Sequence, residues 1–401
     1  MARIPEHLVV AGMQRLQRTL TAEVLEWSLS RGLFPSSERA TRTALVAGTF
    51  CCRCSPHGCE EEVEDPRPYR HAVRFLALFL SADDHGPDDA SDHPARRIER
   101  ALLDPGSAPG DPHGQAAQEF MRDLIADTAP SEVAPFTTSF TDHLAAAAEE
   151  FELTQPPSPP ATATGLARLG LPDFFRLRPL LIGTEPYLRL WQLADHRPRP
   201  SDVDDAADEV RRRFPSAMLD DAVDAAIDAH AAGVRRRAPP LTELEAVAVV
   251  STYLANDLGS VERDRGPDGD ARSPNLVLML QDSRGRAPGG QRELRARGPD
   301  GGKQAIEAVV RLHDATTARF RALEINLQML DNRAAMLRYT GLLSGVVDGN
   351  LQSTIDYARA RAAAASAATG EPESAPAGAP RYSAGPVLDR LRFVGTRPTR
   401  A

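Results

Sequence analysis

No stretch of this chain approaches the roughly 18 to 20 uninterrupted apolar residues that a membrane span needs. The early Leu8-Val9-Val10-Ala11 run is too short for the apolar core of a signal peptide. Both absences lead to the expectation of a cytoplasmic protein. An excess of positive charge is missing too: 47 Lys and Arg stand against 56 Asp and Glu, a net charge of −9. That balance argues against a nucleic-acid or anionic-membrane surface and for a small-molecule partner. Cysteine is scarce and confined to Cys51, Cys52, Cys54 and Cys59, with His57 among them. The cluster invites a zinc site, but its spacing matches none of the paired C-x2-C knuckles and no second cluster completes it. Reduced thiols at a helix end are the plainer account. Neither an internal repeat nor the apolar/polar alternation of strands is found.

Apolar residues instead recur at three- and four-residue spacing in Arg74 to Ala82, Leu166 to Leu193, Leu241 to Leu258, Ala305 to Leu330 and Met336 to Tyr357. The class predicted is all-α. The continuous run from Asn275 to Leu280 fits a buried helical turn as readily as a strand. Pro and Gly mark breaks at Pro105 to Gly114, Pro156 to Pro160, Arg197 to Pro200, Arg265 to Pro274 and Arg284 to Gly302. The 401 residues could form one large domain or two ordinary ones. We expect one, over residues 1–360, with a flexible linker and tail over 361–401, because Ala362 to Pro380 is rich in Ala, Gly, Pro, Ser and Glu.

Two acidic stretches follow apolar helical runs. The first is Asp83-Asp84-His85-Gly86-Pro87-Asp88-Asp89. Magnesium takes hard oxygen ligands and keeps waters and substrate phosphates in its shell, so one or two carboxylates per ion suffice. Asp83, Asp84 and Asp88 meet that need, although an acidic helix end is more often a solvated loop. In the second stretch Asn256, Ser260 and Asp264 are spaced four apart, which puts an amide oxygen, a hydroxyl and a carboxylate on one helix face. A pairing of two such stretches suits a cation and a diphosphate better than either does alone.

These residues resemble the motifs of the bacterial class I terpene cyclases. The family's aspartate-rich DDxxxD or DDxx(D/E) is matched by Asp83, Asp84 and Asp88. Its (N/D)DxxSxxxE is matched by Asn256, Asp257, Ser260 and Asp264, with Asp264 in place of the usual Glu. Asn275 to Leu280 resembles the segment that follows. Phe174-Phe175-Arg176-Leu177-Arg178 and Gly183-Thr184-Glu185-Pro186 resemble the family's kinked helix with its diphosphate-sensing arginine. Gly349-Asn350-Leu351-Gln352 resembles its last long helix.

The resemblance implies a helical bundle around a central apolar cavity. It implies three Mg2+ ions held by Asp83, Asp84, Asp88, Asn256, Ser260 and Asp264, and diphosphate bound by Arg178, whose planar fork suits phosphate oxygens. A main-chain carbonyl in the kink, near Ile182 or Gly183, would act on the substrate. An Arg-Tyr pair should also bind diphosphate. Arg338-Tyr339 comes early for it and Arg381-Tyr382 late, and we prefer Arg381 and Tyr382 as part of a closing tail. The implied activity is Mg-dependent ionisation and cyclisation of a linear isoprenyl diphosphate, farnesyl or geranylgeranyl diphosphate. A chain-elongating prenyltransferase and a non-catalytic helical isoprenoid-binding protein are the alternatives, and a homodimer stays open.

Three departures accompany the resemblance. Asp264 is a methylene short, the interval from Arg178 to Asn256 carries an apparent insertion containing Asp220 to Val234, and aromatics are only 5% of the chain. Phe75, Phe79, Phe174, Phe175, Tyr253 and Trp191 are candidate cavity walls, each more simply read as core.

Overall fold

The computed structural model describes residues 4–5, 8–55, 65–83, 93–104, 106, 110–154, 169–193, 200–213, 223–228, 242–265, 273–283, 299–331 and 333–369. Among them there are helices and no strand ladder. In chain order they are α1 (Gln14–Arg31), α2 (Ser37–Arg53), α3 (Arg67–Asp83), α4 (Pro94–Leu103), α5 (Pro112–Asp127), α6 (Pro130–Thr154), α7 (Leu171–Leu181), α8 (Thr184–Gln192), α9 (Pro200–Arg213), α10 (residues 223–228), α11 (Glu243–Asp264), α12 (Leu276–Ser283), α13 (Pro299–Leu330) and α14 (Ala334–Thr369).

Local chemistry explains many of the ends. Proline opens α4, α5, α6, α9 and α13, where its missing N–H costs nothing because the first helical donors have no partner in any case. Several prolines that read as loop markers are therefore first residues of helices. Pro112, Pro200 and Pro299 each begin a helix inside an expected break. Ser36 caps α2 by accepting from the Arg39 N–H, and Asp111 caps α5 by accepting from Gly114 N–H at 2.6 Å. Thr242 and Glu245 form a reciprocal capping box on α11. Asn275 to Leu280 resolves in favour of helix, as the cap and first turns of α12.

Helix α11 is the axis of the bundle. It packs against α7, α8, α9, α12, α13 and α14, and its residues from Leu244 to Ala255 are all buried, which is why its apolar run is almost unbroken. A second apolar group gathers α1 to α6, with Phe75, Phe136 and Phe140 in edge-on or tilted contacts around 5.1–5.7 Å. Helix α14 joins the two groups. Its Gly345 and Gly349, one turn apart, let the end of α2 press onto it. A Cβ at Gly349 would lie 2.5 Å from the Arg53 carbonyl oxygen.

The described part of the expected insertion, residues 223–228, lies at the far end of α11 from its acidic motif. Helix α9 packs on α11 and α13. Arg319 of α13 pairs with Glu243 at the start of α11, 2.5 Å away, and with Asp224 of α10. The expected linker begins later than residue 360, because α14 continues to Thr369. The alanine-rich stretch there has high intrinsic helix propensity. No helix among the described residues is long and apolar enough to cross a membrane.

Candidate active site

Two helices meet end to end at a break. Helix α7 ends at Leu181, Gly183 takes the left-handed conformation at φ 68°, and α8 starts at Thr184. In an unbroken helix the carbonyl of residue 182 would accept from the N–H of residue 186, but that residue is Pro186, which has none. Gly183's own carbonyl accepts from Tyr187 N–H at 3.3 Å. The Ile182 main-chain oxygen is thus left without its helical donor.

Neighbours fix the break from two sides. Phe79 of α3 packs against Gly183, so that a Cβ there would meet its ring at 2.5 Å. Phe79 also stands 4.9 Å from the His143 ring of α6. His143 Nδ1 donates to the Leu180 carbonyl at 2.9 Å. Burial holds that imidazole down to about 4, against the opposing effect of this hydrogen bond, so it is neutral at pH 7. Asp83, the last residue of α3, follows Phe79 by one helical turn. The end of the first acidic motif's helix is therefore tied to the break.

One turn before the break, Arg178 crosses to α11. Its Nε donates to Asp257 Oδ1 at 2.8 Å and its Nη2 to Asn256 Oδ1 at 2.8 Å. Asp257 is fully buried, and its other oxygen accepts the Leu276 N–H at 2.9 Å. Burial pushes Asp257 up to about 6 against the pull of Arg178, leaving it ionised at pH 7. Burial works to lower Arg178 as well, but Asp257, Asp264 and Glu150 outweigh it and raise it. Further along the same face, Ser260 Oγ donates to Asp264 Oδ2, and Arg263 Nε donates to Asp264 Oδ1 at 2.8 Å. The structure so places Arg178 on Asn256 and joins Ser260 to Asp264 along the second half of α11, with the end of α3 beside the Gly183 break.

No family model matches the sequence, and no curated protein matches it. The structure is nevertheless similar to several solved ones. Linalool/nerolidol synthase from Streptomyces clavuligerus, in complex with 2-fluorogeranyl diphosphate, superposes with a TM-score of 0.57 at 17% identity, over 88% of this chain and 100% of that one. An α-eudesmol synthase gives 0.56 at 16% identity, over 88% and 98%. The SVS_A2 protein from ancestral sequence reconstruction gives 0.57 at 19%, over 85% and 86%. The fold is that of the class I terpene synthases.

Within this terpene synthase fold, Asp84, Asp88, Arg381 and Tyr382 lie outside the described residues, as do His57 and Cys59. Cys51, Cys52 and Cys54 are buried at the end of α2 and form no disulfide among the described residues. Among the described residues no group of three or more His, Cys, Asp or Glu is disposed to hold a metal. The face from Asn256 to Asp264 offers an amide, a hydroxyl and one carboxylate, a hard-oxygen set that suits Mg2+ better than a softer ion. Tyr339 is committed elsewhere: buried, its hydroxyl lies 2.7 Å from Thr242 Oγ1 at the opposite end of α11, about 20 Å along the axis from Asn256. Of the candidate wall rings, Phe75, Phe174, Tyr253 and Trp191 are packed in the core and Phe79 and Phe175 are half-buried.

Sequence reasoning missed the buried charges just past the break. Glu185 is 3% exposed, Arg189 lies one turn on at 3.5 Å, and Glu245 of α11 is 3.5 Å beyond. Gln192 Nε2 donates to Glu245 Oε1 at 2.8 Å. Burial pushes Glu185 up to about 7, with Arg189 opposing and Glu245 adding to the rise. A carboxyl raised in the folded state leaves stability unaffected below the unfolded pKa near 4.5. Stability is then lost as pH rises toward 7, at about 1.4 kcal/mol per unit. Glu185→Gln should flatten the fall in urea-unfolding stability between pH 5 and 8, and at pH 8 should gain up to about 3 kcal/mol on the parent. Parallel pH profiles for the two proteins would refute this.

Proposed function

We propose that the protein is a terpene synthase that ionises a linear isoprenyl diphosphate, farnesyl or geranylgeranyl diphosphate, and releases a cyclic terpene and diphosphate. The observation that carries the reading is Arg178 lying across Asn256 and Asp257 one turn before the Ile182–Gly183 break, in a chain with the fold of linalool/nerolidol and eudesmol synthases.

Asp83, Asp84 and Asp88 on one side, and Asn256, Ser260 and Asp264 on the other, would hold Mg2+, three ions by the family resemblance. Bound there, Mg2+ supplies Lewis-acid stabilisation of the charge that grows on the departing diphosphate. Arg178 binds diphosphate oxygens through its fork and orients the leaving group, and Arg381 and Tyr382 would bind it too. The substrate C–O bond breaks with its electron pair going to diphosphate, leaving an allyl cation. The Ile182 carbonyl, which has no helical donor, turns its dipole toward the developing positive charge, while Gly183 supplies the backbone turn that frees it. The allyl cation is attacked by a double bond of the same chain. Ring closure is completed by loss of a proton or capture of water. The apolar walls keep water from the cation until then.

The test is to incubate the purified protein and magnesium with geranyl, farnesyl and geranylgeranyl diphosphate separately and to analyse extracts by gas chromatography with mass detection. A cyclic product from one substrate is expected, and should be lost in Asp83→Ala and Asn256→Ala. A folded protein that releases no diphosphate from any of the three would sink the proposal.

A further inference from the structure

Asn275 belongs to neither acidic motif, yet its side chain is built into the second. It is fully buried at the start of α12. Its Nδ2 lies 2.8 Å from the Asp257 carbonyl oxygen, 3.2 Å from Ser260 Oγ and 3.0 Å from Asp264 Oδ2. Its Oδ1 accepts the Val277 N–H at 3.0 Å and so caps α12. The surroundings leave one orientation for the amide. The oxygen must face the N–H of Val277, and the two amide hydrogens must serve the three acceptors of α11.

The consequence falls on Asp264. Its Oδ2 is held by two donors, Ser260 Oγ and Asn275 Nδ2. Among the described residues its Oδ1 is held from the outside, by Arg263, whose side chain is 45% exposed. One oxygen is pinned and the other is engaged by a surface arginine that can swing into water at little cost. Ser260 meanwhile spends its proton on Asp264, which turns a lone pair of Oγ outward. Asp264 is also a methylene shorter than the glutamate common at this position of the resembling motif. A shorter carboxylate with free rotation would fall back toward its own helix, and the amide from α12 prevents it.

We propose that Asn275 is a positioning residue of the cation site, holding Ser260 and Asp264 as one pre-set pair of oxygen ligands. This deepens the proposed function and rests on it. Groups that orient metal ligands typically contribute 10- to 100-fold to metal affinity.

The test uses the full chain and Mn2+ as a spin-active probe, titrated with inorganic diphosphate present, with free Mn2+ read by electron paramagnetic resonance. Asn275→Ser keeps an oxygen able to cap α12 and removes both amide donors. The expected result is a Mn2+ Kd raised 10- to 100-fold over the parent, measured below the thermal transition of both proteins. Should the serine variant not fold, Asn275→Thr carries the same test with more of the space filled. A folded variant whose Mn2+ Kd stays within threefold of the parent overturns the proposal and leaves Asn275 a helix cap alone. A parent that binds no Mn2+ overturns the cation reading of the site, and this inference with it.

Discussion

Arg178→Met lowers diphosphate release by about 10²–10³-fold, the usual loss when one preorganised donor to a developing anion is removed. The expectation follows from what the guanidinium does. Its planar fork reaches Asp257 and Asn256 at 2.8 Å each, so it is already locked in one plane beside the second acidic motif. Methionine fills the stem's volume but provides no donor. Lysine at the same place keeps a charge but not the fork, and should recover only part of the rate.

The same change also strands Asp257. Without Arg178 that fully buried carboxylate retains the Leu276 N–H at 2.9 Å as its partner among the contacts described. Breaking a buried pair from one side typically costs about 3–5 kcal/mol. A loss of activity could then be mere unfolding. The double variant Arg178→Met/Asp257→Asn separates the two, because neither side is left with an uncompensated charge. Its stability in urea should fall by less than the sum of the single changes, while release stays low. Release within threefold of the parent in a folded Arg178→Met protein would remove the arginine from the mechanism.

How much of this was legible in the sequence depends on the distance over which each feature is encoded. The runs in α3, α11, α13 and α14 are buried widely enough that apolar spacing alone reveals them. The four-residue spacing of Asn256, Ser260 and Asp264 is a local property of one helix and was equally readable. Helix α2 escaped because its buried positions are filled by small or polar residues, such as Ala44, Ala47 and Thr43. Asn275, the Phe79 ring on Gly183 and the Glu185–Arg189–Glu245 group depend on which helices become neighbours, and no window along one segment contains that. One signal was available and overlooked: Pro186 four residues after Ile182 marks the freed carbonyl. Of the two expected positions, Ile182 and Gly183, that favours the Ile182 oxygen.

Gly183→Ala tests that break, and it carries two separable costs. At φ 68° an L side chain sets its Cβ against its own carbonyl, costing about 1–2 kcal/mol. The same Cβ would also stand 2.5 Å from Cε2 and 2.8 Å from Cδ2 of Phe79. That ring is packed against Phe75 and His143 and cannot simply swing away, so overpacking adds a further cost of about 1–3 kcal/mol. The sum expected by urea denaturation is about 2–5 kcal/mol. Trimming the ring in Gly183→Ala/Phe79→Leu should return the steric part and leave the backbone part. Gly183→Asn should do the reverse, since asparagine tolerates the left-handed region but still carries a Cβ. Diphosphate release should follow the backbone rather than the ring. If the Ile182 oxygen acts on the substrate, relaxing residue 183 out of its left-handed turn moves that oxygen, and activity stays depressed in the ring-trimmed double variant even where stability recovers. Full recovery of both would make Gly183 a packing glycine and nothing more.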